Sequence, residues 1–151
     1  MSSQPMPSLF LIVVIGLLGG IAIGLQAPLA SAISQRLGAL ESIFIVHLGG
    51  LLAAGIALLF VGGGRLGQWQ TVPPVALLAG LLGVMVVGST VYNVPRIGVA
   101  GTIMLIITGQ LCTGVMVDHV GALGATPRPI STERLAGLVV VLSGAWWTLR
   151  H

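Results

Sequence analysis

Six polar side chains in this sequence could do chemistry, and they are scattered: Gln26, His47, Asn93, Gln110 and the adjacent pair Asp118 and His119. A carboxamide donates and accepts hydrogen bonds at once, so the amides would give a mostly apolar cavity neutral hydrogen-bonding groups, which favours amphipathic or weakly charged solutes over small anions. An imidazole titrates near neutral pH, so His47 could hold a ligand or a proton. Asp118 and His119 could form an acid–base couple or an ionic contact. None of these belongs to a catalytic motif. There is no Gly-rich loop ending in Lys, no His-Glu-x-x-His and no Gly-x-Ser-x-Gly elbow, so neither ATP hydrolysis nor metal- or serine-based hydrolysis is indicated. The single Cys112 lies in an apolar run, which excludes an intrachain disulfide and offers no metal cluster. No metal, no cofactor and no enzymatic role is expected.

The elements that must position these residues follow from composition. Only nine of 151 residues are charged, six Arg and three acids, while 56% are hydrophobic and 23 are Gly. A soluble domain is about one-quarter charged. With a mean hydropathy of +1.10, the chain cannot cover a water-facing surface. The pI near 10.6 reflects scarce acids; the Arg residues are scattered singly, so no nucleic-acid partner is expected.

A membrane-spanning helix needs about 20 mainly apolar residues. Five windows qualify or nearly so, predicting helices over about 9–34, 42–61, 74–93, 98–118 and 132–149. Residues 1–8 carry no Lys or Arg, and the first window is too long for a signal-peptide core, so it reads as a retained helix. The breaks at 35–41, 62–73, 93–97 and 120–132 are too short to be domains. The expected architecture is therefore all-α and integral to the membrane: one multi-pass bundle of five transmembrane helices spanning residues 1–151, with the lipid bilayer as its solvent.

On these helices, a rise of 1.5 Å per residue gives depths. Gln110 falls near the midplane of the fourth helix. Gln26, His47 and Asn93 fall roughly 9, 7 and 12 Å from it, towards the side opposite the N-terminus. Asp118 and His119 lie roughly 13 Å the other way, near headgroup depth. Pro28 cannot donate to the carbonyl of Gly24, so the first helix should kink beside Gln26. Polar groups within a membrane are costly and mark function, which makes Gln26, His47, Asn93 and Gln110 the candidate substrate cavity. Each also has a plainer reading: the two Gln can bond neighbouring helices, His47 can be a neutral structural imidazole, and Asn93 can cap a helix end. Asp118 and His119 read as an interfacial or intersubunit pair, or as a coupling group. No carboxylate lies deep in any window, so proton coupling is not indicated.

Orientation is undecided by charge. Arg65, Arg128 and Arg134 fall on the N-terminal side, and Arg36, Arg96 and Arg150 on the other. The positive-inside rule gives no preference, which is consistent with insertion in both directions. An antiparallel homodimer of such units would reproduce the inverted-repeat plan of secondary transporters. Gly16, Gly20 and Gly24 line one face of the first helix, and Gly80 and Gly88 recur on the third. Such stripes mark close helix packing, within one subunit or between two.

Several short motifs then occur in order: Gly24-Leu25-Gln26-Ala27-Pro28, Arg36-Leu37-Gly38, Gly80-Leu81-Leu82-Gly83, Val94-Pro95-Arg96-Ile97-Gly98, Gly109-Gln110-Leu111 and Asp118-His119-Val120-Gly121, followed by Arg128-Pro129 and Gly137. In this order, from Gly16 to Trp147, the chain resembles the YdcZ-type inner-membrane exporters of the drug/metabolite transporter superfamily. The resemblance implies a half-size unit of five helices. It also implies a dual-topology homodimer or an oppositely oriented pair, in a bacterial inner membrane. It brings no substrate with it. Two positions depart from the family pattern: Ala30 stands where an Asn is frequent, and His47 where many members have Ser. The first helix also lacks the membrane-embedded Glu of the small multidrug resistance relatives, so their proton/drug exchange does not carry over.

The sequence thus predicts a secondary transporter of small molecules, working by alternating access in an antiparallel dimer whose first and fourth helices line the cavity. A flippase for a lipid or lipid-linked metabolite, and a non-transporting membrane scaffold subunit, are the other readings.

Overall fold

The computed structural model describes residues Leu9 to Arg150; the reading of residues 1–8 given above lies outside this range. Among the described residues the protein is all-helical, with five α-helices: α1 (Leu9–Leu37), α2 (Ala39–Phe60), α3 (Pro74–Leu77), α4 (Ala79–Val120) and α5 (Thr132–Leu149). Short 3-10 turns at Leu66–Thr71 and Ala122–Gly124 join them. Three stretches are long and apolar enough to cross a membrane: Leu9–Leu37, Ala39–Phe60 and Pro74–Val120. They are apolar all round and not amphipathic, the pattern of a helix solvated by lipid. Large side chains such as Phe10, Leu59 and Phe60 are more than three-quarters exposed.

The reversals are tighter than the sequence implies. The break expected at 35–41 shrinks to Gly38, with φ 117° and ψ 162°. The Gly38 amide still donates to the Ser34 carbonyl at 3.0 Å, and Ser42 N–H donates to the Gly38 carbonyl at 3.1 Å. Both helical ladders therefore run up to the turn and leave few backbone groups unpaired. The break expected at 93–97 around Pro95 falls instead just beyond that range, at Gly98, with φ 73° and ψ 173°; Pro95 is helical. Both conformations are essentially open only to glycine. Gly98 also folds α4 back on itself. Met85 and Val117 line one groove, although a straight helix would separate them by about 48 Å. The two limbs of α4, residues 79–97 and 99–120, thus correspond to the third and fourth predicted helices.

The packing reveals an internal repeat. The buried residues Ala27, Ala30, Ser31 and Ser42 recur sixty positions later as buried Val87, Thr90, Val91 and Thr102. The turns Arg36-Leu37-Gly38 and Arg96-Ile97-Gly98 share the same spacing, as do Gly20 with Gly80 and Gly49 with Gly109. The hairpin α1–α2 and the hairpin made by α4 thus place their buried residues and their glycine turn at matching positions. Each hairpin also packs against the other. Ile43 of α2 approaches Gly88 and His47 approaches Gly83, while Ile103 and Ile106 line a pocket with Ile23 and Ala27 of α1. The two hairpins run in the same direction, so both glycine turns lie at one end of the bundle. The shared core is thin: Ala30, Val87 and Val91, flanked by Ile43 and Val46. The Ser42 hydroxyl donates to the Ala30 carbonyl at 2.7 Å and ties α2 to α1.

The helix α5 lies outside the repeat and packs antiparallel on the second limb of α4. Leu149 sits against Gly101, and Arg134 reaches Asp118. Ser131 caps its start by accepting the Arg134 amide at 3.3 Å. At the end carrying the glycine turns, Arg96 stacks over Tyr92 at 3.7 Å and Arg150 over Trp146 at 4.7 Å. This suits guanidinium groups at a membrane–water boundary.

Gly98 tests the turn cleanly, because a Cβ there would meet nothing within 4 Å. Gly98→Ala is expected to cost about 1–3 kcal/mol from backbone strain alone. Gly19→Ala, helical and also in open space, should leave stability unchanged or raise it by up to about 1 kcal/mol. Reversible unfolding in mixed micelles reads both.

Candidate functional site

The fold-back at Gly98 forms an open groove of about 680 Å³ between the two limbs of α4. Its aliphatic walls come from residues such as Met85, Leu105 and Ile106. Its polar groups are Ser89 and Asn93 on the first limb, with Gln110 and Thr113 on the second. A smaller, more enclosed pocket of about 50 Å³ lies behind it, where α1 crosses both limbs. Gln26, Ala27 and Thr90 line that pocket, and Gln110 borders both spaces. No charged residue lines either of them.

The structure therefore brings three of the predicted residues together. Asn93 and Gln110 share the groove, and Gln26 and Gln110 share the pocket. Pro28 permits this on α1. It stands two residues past Gln26 and leaves the Gly24 carbonyl without its ladder bond, while the flanking Ala27, Ala30 and Ser31 pack inward. Within one chain, the small pocket lies where the first, third and fourth predicted helices meet. The large groove belongs to the third and fourth, because Gly98 sets their limbs side by side.

Among the described residues, no hydrogen bond reaches the side chains of Gln26, Asn93, Gln110 or Thr113, and Thr108 Oγ1 is buried without a partner, whereas Ser89 and Thr90 are occupied. Ser89 donates to the Val86 carbonyl at 2.9 Å, and Thr90 donates to the same carbonyl at 2.9 Å. An amide placed in an apolar medium without a partner costs roughly 2–7 kcal/mol. Gln26 and Gln110 are exposed and Asn93 is half-buried, so all three are open to a partner from outside the chain.

His47 is placed elsewhere. Its Nδ1 lies 2.8 Å from the Ile43 carbonyl, which can only accept, so Nδ1 carries the proton. Its Nε2 lies close over Gly83 in the seam between α2 and α4. The ring lines neither the groove nor the pocket.

Asp118 and His119 close the opposite end of the bundle. Arg134 donates to the Asp118 carboxylate at 2.6 Å and to the Arg128 carbonyl at 3.2 Å. The Arg128 amide donates to the Asp118 carbonyl at 2.7 Å, and the Ile130 amide to His119 Nδ1 at 3.3 Å. Together these bonds clasp the 121–131 segment to the end of α4 and the start of α5. The glycine stripe is the reverse case. A Cβ at Gly16, Gly20, Gly24 or Gly80 would meet nothing within 4 Å, while at Gly88 it would meet only Ile43, at 3.5 Å. The α1 stripe therefore makes no close contact within this chain.

The sequence offers Ser89 and Thr113 as hydroxyls within the apolar windows, but does not group them into one site with Asn93 and Gln110. Superposing the hairpins at the sixty-residue offset would have found them. Ser89, Asn93, Gln110 and Thr113 stand where the first hairpin has Leu29, Ile33, Gly50 and Ala53. The groove's polar groups are all departures from the repeat.

A helical protein with long apolar spans and a neutral polar groove between them is a membrane protein of the transporter type. The model for the family described as "Putative inner membrane exporter, YdcZ" matches residues 11–147, nearly the whole chain, and the protein belongs to that family. Comparison with the curated proteins and with the solved structures finds no match.

The clasp makes a local prediction. Arg134→Met keeps the aliphatic stem but removes both donors, and the ion pair is about one-third exposed on each side. Stability should fall by only about 0.5–1 kcal/mol, while amide hydrogen exchange over residues 121–131 should accelerate markedly. Unchanged exchange there would show that the clasp does not hold the segment.

Proposed function

We propose that this chain is one half of a secondary exporter of small molecules. In this reading α1, α2, both limbs of α4 and α5 are five membrane crossings. Two copies, inserted in opposite directions, pair as an antiparallel homodimer, and rocking of one copy against the other exposes the groove to each side in turn. Substrate contacts come from Asn93 and Gln110 in the groove and from Gln26 behind it. His47 is left with a packing role, and Asp118 and His119 with holding the 121–131 segment.

The observation that carries this reading is the set of three unpartnered carboxamides around a membrane-embedded groove. A scaffold subunit has no use for such groups, since apolar residues would pack more favourably in lipid. A substrate that forms hydrogen bonds on entry and gives them up on release accounts for them. Two further features support the pairing. The Arg residues divide evenly between the two sides, which leaves orientation undecided. The open α1 glycine stripe offers a close approach to a second copy in a solvent where helices associate through packing.

The transport reading is tested by counterflow in proteoliposomes, using a panel of radiolabelled solutes that includes uncharged, cationic and anionic members. At least one solute should exchange well above empty vesicles, and Gln110→Leu should cut that rate tenfold or more. No exchange of any solute, or an unaffected rate in the variant, would overturn it. The pairing is tested separately with C-terminal reporters, each active on only one side of the membrane. Both should give signal of comparable size; signal from one side only would refute dual topology.

A further inference from the structure

The two connected spaces differ in a way that specifies a ligand. The pocket behind α1 is about 50 Å³ and enclosed, with Gln26, Thr90 and Gln110 on its walls. The groove it adjoins is about 680 Å³ and open, walled mainly by aliphatic side chains. Val86, Ile106 and Gln110 border both, so one molecule can occupy the two together, with the Gln110 carboxamide at the junction.

From this geometry, and resting on the transport reading, we propose that the substrate is an uncharged amphiphile. Its small hydrogen-bonding head, an amide or hydroxyl, lodges between Gln26 and Gln110, and its aliphatic body lies in the groove. The head is limited by size. The pocket has less than one-tenth of the groove's volume, so it takes the small end of the molecule and the groove takes the body. It is also limited by charge. An ion taken from water into a low-dielectric site without a counter-charge loses several kcal/mol of solvation, and neither space offers a charged side chain. What the walls do offer is matched to a neutral head. Each Gln amide supplies two N–H donors and one carbonyl acceptor, and the Thr90 oxygen, having donated to Val86, can still accept. The groove is within the range of small-molecule sites, about 300–1,000 Å³, and its mostly apolar walls suit an alkyl or terpenoid body.

Three probes with one alkyl body separate head-group chemistry from hydrophobic partition: radiolabelled decanamide, decanoate and decyltrimethylammonium at pH 8. Each is measured by equilibrium binding to the purified protein in nanodiscs of zwitterionic lipid, against empty nanodiscs. Decanamide should bind saturably and at least tenfold more tightly than either ion. Gln26→Leu should weaken decanamide binding about tenfold and leave the ions unchanged. Gln110→Glu should reverse the order in favour of decyltrimethylammonium, and it decides the matter even if Gln26→Leu does not fold. Equal binding of all three probes, tighter binding of an ion to the unaltered protein, or an unchanged order in Gln110→Glu would overturn the proposal. The two readings fail differently. Selective decanamide binding without counterflow of any solute removes transport and keeps the site. Counterflow of an ionic solute that Gln26→Leu leaves at full rate keeps transport and removes the neutral-head site.

Discussion

Within a bilayer, a backbone N–H or C=O that faces lipid has no water to turn to. Longer connections, such as 61–73 and 121–131 here, need water at the end of the bundle to satisfy theirs. In this chain the reversals at Gly38 and Gly98 each take one residue, and the helical ladders run to the turn on both sides. Only glycine reaches the required backbone angles, so two residues without side chains determine the placement of everything else. They set the antiparallel pairing within each hairpin and bring Ala27, Ala30 and Ser31 against the region of Val87, Thr90 and Val91. The fold-back at Gly98 lays the two limbs of α4 side by side and opens the groove between them.

The core this produces would be insufficient in water. The buried positions are small residues and hydroxyls, and most large apolar side chains face outward. In lipid the outward face costs nothing, and association depends on close packing and on hydrogen bonds such as that from Ser42 to the Ala30 carbonyl. The same reasoning explains why the repeat survives at these positions and drifts elsewhere. Ala27 and Val87, or Ser42 and Thr102, occupy equivalent crowded seams where size is constrained. Lipid-facing positions accept any apolar residue, so they show no such correspondence.

Much of this was legible in the sequence because the bilayer leaves so few options. Window length located the helices, and scarcity of polar residues directed attention to Gln26, Asn93 and Gln110. Three things were not legible. The break at 35–41 was drawn too wide and that at 93–97 too early, because Arg36, Gln35 and Pro95 look like loop residues; the helix in fact carries them to the turn, where long side chains can reach the boundary. His47 looked equivalent to Gln26 in depth, but depth does not give azimuth, and its position on α2 turns the ring towards Gly83. The assembly of the groove required knowing that the third and fourth helices are adjacent limbs, which hydropathy does not report. The sixty-residue repeat did hold that information, since it makes α4 a copy of the α1–α2 hairpin.

That repeat also shows where the two hairpins ceased to be interchangeable. At the positions equivalent to Ser89, Asn93, Gln110 and Thr113, the first hairpin carries Leu29, Ile33, Gly50 and Ala53. Had these polar residues served packing, the shared geometry would call for similar groups in both copies, as it does at Ser42 and Thr102. They occur on one hairpin only, and there they surround the larger opening. The first hairpin contributes Gln26 from the other side, at a position where the second has Val86. One duplicated unit thus supplies a packed support and the other a polar groove, with Gln26 reaching across to the pocket they share. A division of labour of this kind gives the two connected spaces different characters, one small and lined by amides, the other large and mainly aliphatic.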